Sequence, residues 1–429
     1  MIKLRLNLNK KMKLNKKFYI ALGFAALGLV ACNDDDNSNN DDNVTVVPQD
    51  FVIPDAEATA IAQTYSDLAR TNYTEALDLA ETMQTAINTF VAAPSADGFE
   101  AAKQAWLTAR EVYGVSEAFR LADGPIDRID ENDVEGPEGL LNSWPMDEGF
   151  VDYIEGDLES GFVNDAGFVL SAEALEAQNG AVEETEVSVG WHAIEFLLWG
   201  QDNDDQLDAT AGQRAYTDYL TSEEATAANG DRRGQYLVII TDLLIENLEF
   251  VLNEWTEGEN YDATFAALSN EQLLTNILGG IGKFASGELR GERMVPGFDV
   301  GAQEDEHSCF SDNTHIDIAK NYEGVSNIYF GEYNGESLNG TSPSELIAMA
   351  DAEVAAEVEA AFDAADAAVL AATTGDAVPF DRAILSVEQG NTAERRALIS
   401  DAISALGVLG VQITNAAAAI GLEVTAELE

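Results

Sequence analysis

Only three histidines occur in the chain, His192, His307 and His315, and each sits among residues able to do chemistry. The first lies in Gly190-Trp191-His192-Ala193-Ile194-Glu195. On a helix His192 and Glu195 are three apart and share a face, with Cβ atoms about 5–6 Å apart. Their neighbours Ala193, Ile194, Phe196, Leu197, Leu198 and Trp199 are apolar. An acid in that company is costly unless it is paired or holds a cation. Imidazole with carboxylate suits iron, zinc, nickel or copper better than magnesium or calcium. The plainer reading is a His–Glu hydrogen bond at a bundle surface, and this segment alone leaves both readings open. The second histidine of the HExxH zinc-protease helix is absent from it.

The other two histidines fall in one polar stretch, Gln303 to His315, with Glu304, Asp305, Glu306, His307, Ser308, Cys309 and Asp312. A run of charge is usually a solvated face. Here the side chains are small and chemically diverse, which fits a site loop, with His307 and His315 as further metal candidates. Glu117 is a third candidate. It lies four residues after Tyr113 and eleven after Trp106 on one helical stripe. A carboxylate there is either the wet end of the helix or a buried partner, and Arg110, seven residues earlier, offers a structural pair.

Helices must position these groups. From Ala56 to Ala92 apolar residues recur at steps of three and four (Ile61, Tyr65, Leu68, Ala80, Met83, Ile87), the signature of one helical face. Pro94 and Ser95 stop this helix, and Asp97 is placed to cap the next, which carries Phe99, Ala102, Trp106 and Tyr113 in line. Residues 123–189 are irregular. Helical patterns return at Val189–Trp199, Tyr236–Trp255 and Leu273–Leu289. Another begins at Ser342-Pro343, a favoured start, and runs to about Ala372. The last spans about Thr392 to Ile420. Strand patterns are scarce. The chain therefore reads as all-α, two packed helical bundles, with room for an internal duplication although the halves do not align by inspection.

The N-terminus reads as an export signal. Met1 to Lys17 holds seven basic residues and no acid, and Phe18 to Ala31 is an apolar run of 14, short of the ~20 needed to span a bilayer. It ends in Leu29-Val30-Ala31-Cys32, which resembles the lipobox of bacterial lipoproteins, where the cysteine is acylated and becomes the new N-terminus. Asn33 to Asn43 is too polar to pack and reads as a tether. Loss of residues 1–31 removes seven of 22 basic residues and none of the 78 acids, leaving a net charge of −63. That charge repels nucleic acid and anionic headgroups and favours cations. No later segment reads as apolar for long enough to cross a membrane, and Cys309 has no second cysteine besides Cys32 with which to pair.

Taken together, these segments resemble the imelysin family, the insulin-cleaving membrane peptidase-like proteins of bacterial envelopes, and most of all its iron-regulated protein A branch. The signature GxHxxE is present as Gly190, His192 and Glu195. The resemblance extends over AWLTAREVYGVSEAFR (Ala105 to Arg120), GPID (Gly124 to Asp127), WPMDEGFVDYI (Trp144 to Ile154), GELRGERM (Gly287 to Met294) and EDEHSCFSDNTH (Glu304 to His315). It implies two helical bundles with GxHxxE near their interface, a lipoprotein or periplasmic location, and a link to iron acquisition. It also carries a peptidase label. Hydrolysis by a metal needs about three protein ligands, an open position and a base, and His192 with Glu195 supplies two ligands at most.

The sequence thus divides into a signal (1–31), an acidic tether (32–52), a bundle carrying GxHxxE (53–205) and a second bundle (206–429). The reading is an outer-membrane lipoprotein, facing the periplasm or the cell surface, that binds a divalent or ferric metal ion (iron or zinc) and serves iron acquisition. Its partners are then the membrane, through the lipid, and envelope proteins of iron uptake, with no nucleic acid and no organic cofactor indicated. The rival is a zinc peptidase of the same fold using His192 and Glu195, and a third class is a helical scaffold whose polar segments are structural. Cys32→Ser should release the protein from the membrane fraction. A variant that still pellets with membranes after a high-salt wash would refute the anchor. Firm attachment implies more than one acyl chain, since a single one binds marginally.

Overall fold

The periodic segments are helices in the computed structural model, which describes residues 51–128, 136–203, 210–338 and 340–427. The signal, Cys32 and nearly all of the tether lie outside the described residues. The first helix, α1, spans Asp55–Ala92. Then α2 spans Ala96–Ser116, and its cap is Ser95, whose hydroxyl accepts from the Gly98 amide. Asp97, expected to cap it, lies inside the first turn, where its charge suits the helix dipole. Residues 136–189 form only short helices. Next come α3, Gly190–Trp199, and α4, Gly230–Glu254. The helix α5, Asn270–Lys283, runs without a break into a π-helical stretch, Phe284–Met294.

A helix with no counterpart in the expected pattern, α6, spans Thr314–Phe330 and starts within the polar stretch. The helix expected from Ser342 to Ala372 is two. Ser342 closes a capping box on Pro343–Ala350, and Asp351 then caps α7, Ala352–Ala372, by accepting from the Glu353 and Val354 amides. Last comes α8, Ala393–Ala419. Two-residue strands at Glu332–Tyr333 and Glu336–Ser337 make the one small sheet among the described residues.

The helices group into two bundles. In the first, α1 packs on α2 and α4, and α3 packs on α2 and α4. In the second, α8 packs on α7, α5 and the π stretch. Helix α6 lies at the seam, against α2 on one side and α7 on the other. The first bundle therefore takes its fourth helix, α4, from beyond residue 206. One hydrophobic core runs through both, from Tyr65 and Trp106 to Phe362 and Leu409, and Pro48–Glu429 form one unit.

By length and composition α8 could cross a membrane, with a mean hydropathy of 1.6, contrary to the expectation that no later segment is apolar enough. Its stripe Ile399, Ala402, Leu406, Leu409 and Ile413 is buried within the second bundle.

The irregular excursion is held by charge. Asp152 accepts from Arg233 at 2.6 and 2.9 Å and from Arg214 at 2.7 Å, all three side chains having at most 1 % exposure. Arg214 also lies over the rings of Tyr153 and Phe196. Removing one partner of such a pair leaves buried charge uncompensated. Asp152→Asn should therefore lower the unfolding free energy by about 3–5 kcal/mol in urea titrations. A loss under about 1 kcal/mol would show that the two guanidiniums are satisfied without it.

Candidate functional site

Helix α3 is buried along its whole length, and its entry explains the glycine of the motif. Gly190 has φ +88°, and a Cβ there would stand 2.5 Å from the Leu141 carbonyl oxygen. Both the left-handed backbone and the close approach exclude any larger residue. Trp191 packs on α2: its carbonyl accepts from the Trp106 indole at 3.2 Å, and its ring stands 5.2 Å from that of Tyr113.

The next turn holds the expected pair. His192 Nδ1 is 3.0 Å from Glu195 Oε2, and both side chains are buried. The other carboxylate oxygen, Oε1, accepts from the Ser311 amide at 2.9 Å and the Ser311 hydroxyl at 2.6 Å. Burial pushes the Glu195 carboxyl up to about 8, although Ser311 opposes the shift. Burial, with Arg110 nearby, holds the His192 imidazole well below its usual range, so at neutral pH it is uncharged. His192 Nε2 is buried and has no hydrogen-bond partner.

A second imidazole stands beside the first. The rings of His192 and His307 are 4.8 Å apart and meet edge to face at 70°. His307 repeats the same device: its Nδ1 is 2.7 Å from Asp317 Oδ2. Asp317, on α6, also accepts from the Ser308 hydroxyl at 2.7 Å and from Arg110 at 3.2 and 3.1 Å. Burial works against the Asp317 charge, but Arg110 and His307 outweigh it and keep the carboxylate ionised. His307 is lowered to about 4, mainly by burial and Arg293.

Glu117 joins this network through an amide. Asn142 accepts from Arg110 through Oδ1 and donates to Glu117 Oε2 at 3.0 Å through Nδ2. The direct Arg110–Glu117 pair is not formed. Seven residues on an α-helix span about 10 Å, and each group turns to another element instead. Glu117 is met by Arg293 from the π stretch, which also reaches Asn321 at 2.8 Å and Glu288 at 2.9 Å. Burial raises Glu117, but Arg293 and Arg120 more than offset it, so it too is ionised. His307, Asn142, Trp144, Arg120, Arg293 and Glu138 line a cleft of about 370 Å³.

His192, Glu195 and His307 are thus brought together, and Glu117 is linked to them by hydrogen bonds. His315 is not. Its Nδ1 donates to the Asp312 carbonyl at 3.0 Å, at the start of α6. Sequence reasoning missed Asp317, Asn142 and Asn321, and noted Ser308, Ser311 and Arg293 only within longer motifs. Asp317 carried a signal: on the helix begun by Thr314 it lies on the face turned to α2. Among the described residues no three of His, Cys, Asp and Glu are grouped to hold a metal ion. Glu195 and Asp317 already spend their oxygens on the imidazoles, serines and Arg110.

The family model described as imelysin, peptidase M75, matches residues 69–413. The chain belongs to the imelysin family. A curated relative, iron-regulated protein A of Synechococcus elongatus, is 25% identical over 262 residues, a match spanning 58% of this chain and 58% of the relative's own length. The crystal structure of a Parabacteroides distasonis protein, provisionally described as an iron-regulated protein A precursor, superimposes with a TM-score of 0.56 at 19% identity. It covers 83% of this chain and 95% of that one. The likeness supports the imelysin fold, all helical.

The cleft wall of this imelysin gives a pH signature. Burial opposes the Glu288 charge, but Arg293 and Arg120 depress the group from 4.5 to about 2. Because the folded value is the lower one, its stabilisation is complete above about pH 5 and is lost as pH falls toward 2. Thermal unfolding between about pH 5 and pH 3 should show a shallower acid loss for Glu288→Gln than for the natural chain. Parallel curves would mean that the ion pairs contribute nothing.

Proposed function

We propose that this imelysin is a lipid-anchored envelope protein that binds a metal ion and serves iron acquisition, with His192 and His307 as the metal-facing groups. One observation carries the reading: two buried imidazoles meet at 4.8 Å, and each has its Nδ1 held by a carboxylate, Glu195 or Asp317. Once Glu195 has lost its proton, which burial delays to about pH 8, a carboxylate on Nδ1 of each ring fixes the tautomer and leaves the other nitrogen to ligate. The orphaned Nε2 of His192 fits that role, since a buried polar atom without a partner calls for an explanation. Both imidazoles are kept neutral by burial, as ligation requires.

Glu195 is then the orienting group and not a ligand. Glu117, salt-bridged to Arg293, fixes the wall of the cleft. A bound metal would supply Lewis acidity or affinity for whatever accompanies it, because two protein nitrogens leave most of a coordination shell to other donors. The peptidase alternative needs a third protein ligand, and the nearby carboxylates are occupied by Arg110 and the serines. The word iron in the relatives' names, and the export and lipidation pattern ending at Cys32, support the physiological part of the proposal.

Calorimetric titration of the full-length chain, purified without chelator, with Fe²⁺ and with Zn²⁺ tests the reading. His192→Ala and His307→Ala should each abolish the tight phase, and Glu195→Gln should weaken it about 10–100-fold. His315→Ala should leave it unchanged. Equal affinity in the natural chain and His192→Ala, with helix content preserved, would place any metal elsewhere.

A further inference from the structure

The loop that follows Arg120 lines a second concavity, outside the histidine network. Asp123, Asp127 and Arg128 of this loop wall a groove of about 410 Å³ with Asn276, Gly280 and Lys283 of α5. Arg128 and Lys283 are half-buried there. Among the described residues neither forms an ion pair or donates a side-chain hydrogen bond, and Arg128 only lies over the Tyr261 ring, 5.4 Å from its centroid. That sets them apart. All fifteen basic residues beyond Cys32 are among the described residues. Twelve of them have a carboxylate or carbonyl acceptor. The third without one, Lys103, lies over the rings of Phe99 and Trp199.

With 78 acids against 22 bases, a carboxylate within reach of every base is the expected outcome. Two unmatched cations sharing one concavity therefore call for a reason. The acids of the groove do not quench them. Asp127 accepts from the Leu121 amide at 3.0 Å and stands 3.7 Å from Arg120 Nε, and Asp123 is exposed. A concave, low-dielectric wall focuses the field of the open cations on whatever enters. A guanidinium fork grips two oxygens of one carboxylate or phosphate, and an ammonium adds a point charge. Stacking over Tyr261 holds the fork ready. The volume falls within the range of small-molecule pockets, about 300–1,000 Å³. We infer that the groove binds a small organic anion bearing carboxylate or phosphate groups, with Arg128 and Lys283 recognising its charge. One contact joins it to the histidine cleft, since the Arg120 that faces Asp127 also lines that cleft. The inference does not rest on a metal at His192.

The test is calorimetric titration of the full-length chain, free of metal and in about 0.15 M NaCl, with succinate and with inorganic phosphate. At least one should bind with a Kd below about 1 mM, and the tighter of the two assigns the anionic group. Lys283→Ala and Arg128→Gln should each weaken that binding about tenfold or more. Asp123→Asn should tighten it by removing an opposed charge. His192→Ala should leave it unchanged, which separates this site from the histidine centre, so that failure of the metal reading leaves it standing. No binding of either anion at about 10 mM would overturn the proposal. Binding that survives both substitutions would also overturn it, by assigning the contact to another surface. Should Arg128→Gln fail to fold for want of its place over Tyr261, Lys283→Ala decides alone.

Discussion

Arg110 and Asp317 are opposite charges sealed from solvent, with 1 % and 2 % of their side chains exposed, and the site is built around them. Such a pair contributes little net stability, because the cost of desolvation consumes most of the attraction. What it supplies is position. Arg110 comes from α2 and Asp317 from α6, so the pair fixes the two bundles at their seam. The remaining valences of both groups are spent on placing others: Asp317 on His307 and Ser308, Arg110 on Asn142 and through it Glu117. Either half alone would be an uncompensated charge in an apolar interior, so the histidines, the serines and the asparagine stand or fall with the pair.

This arrangement explains an apparent contradiction in the composition. A chain with 78 acids and 22 bases would be expected to keep its charges in water. Yet its scarce arginines are concentrated inside. Arg110, Arg214, Arg233 and Arg293 are all buried, each against carboxylates of another element. The guanidinium is the cation suited to that work, since its planar fork can hold several oxygens at once and stays charged without water. The acidic excess is left to the surface, where mutual repulsion is screened by salt.

The fold was largely legible in the sequence because the long helices bury one stripe each, and a buried stripe leaves a period of three and four in the residues. Where the burial is of another kind, the pattern fails. Helix α3 is buried on every side, so its motif stood out by its residue types and not by its period. Helix α6 was missed because its first turn carries Thr314, His315 and Asp317, polar residues that serve the site and break the stripe. The break at Asp351 was hidden by the alanines on either side, which favour helix in both directions. Of the site, the His192–Glu195 pair was legible because a helix alone brings it together. The meeting of His192 with His307, and the exchange of partners that gives Arg110 to Asp317 and Glu117 to Arg293, depend on how helices far apart in sequence dock. No spacing along one helix encodes that.

The π stretch gives the chain a constraint of another sort. Glu288 and Arg293 are five residues apart and touch at 2.9 Å, whereas an α-helix at 3.6 residues per turn would turn them to different faces. The wider turn lets one short segment place an acid on the cleft wall and a base on Glu117 at once. Length is therefore fixed there more tightly than identity. Losing one residue between Phe284 and Met294 would return the segment to ordinary winding and rotate one of the two groups out of the cleft, however well its composition were preserved. Substitutions along this stretch are local events, while an insertion or deletion is a rotation of everything that follows.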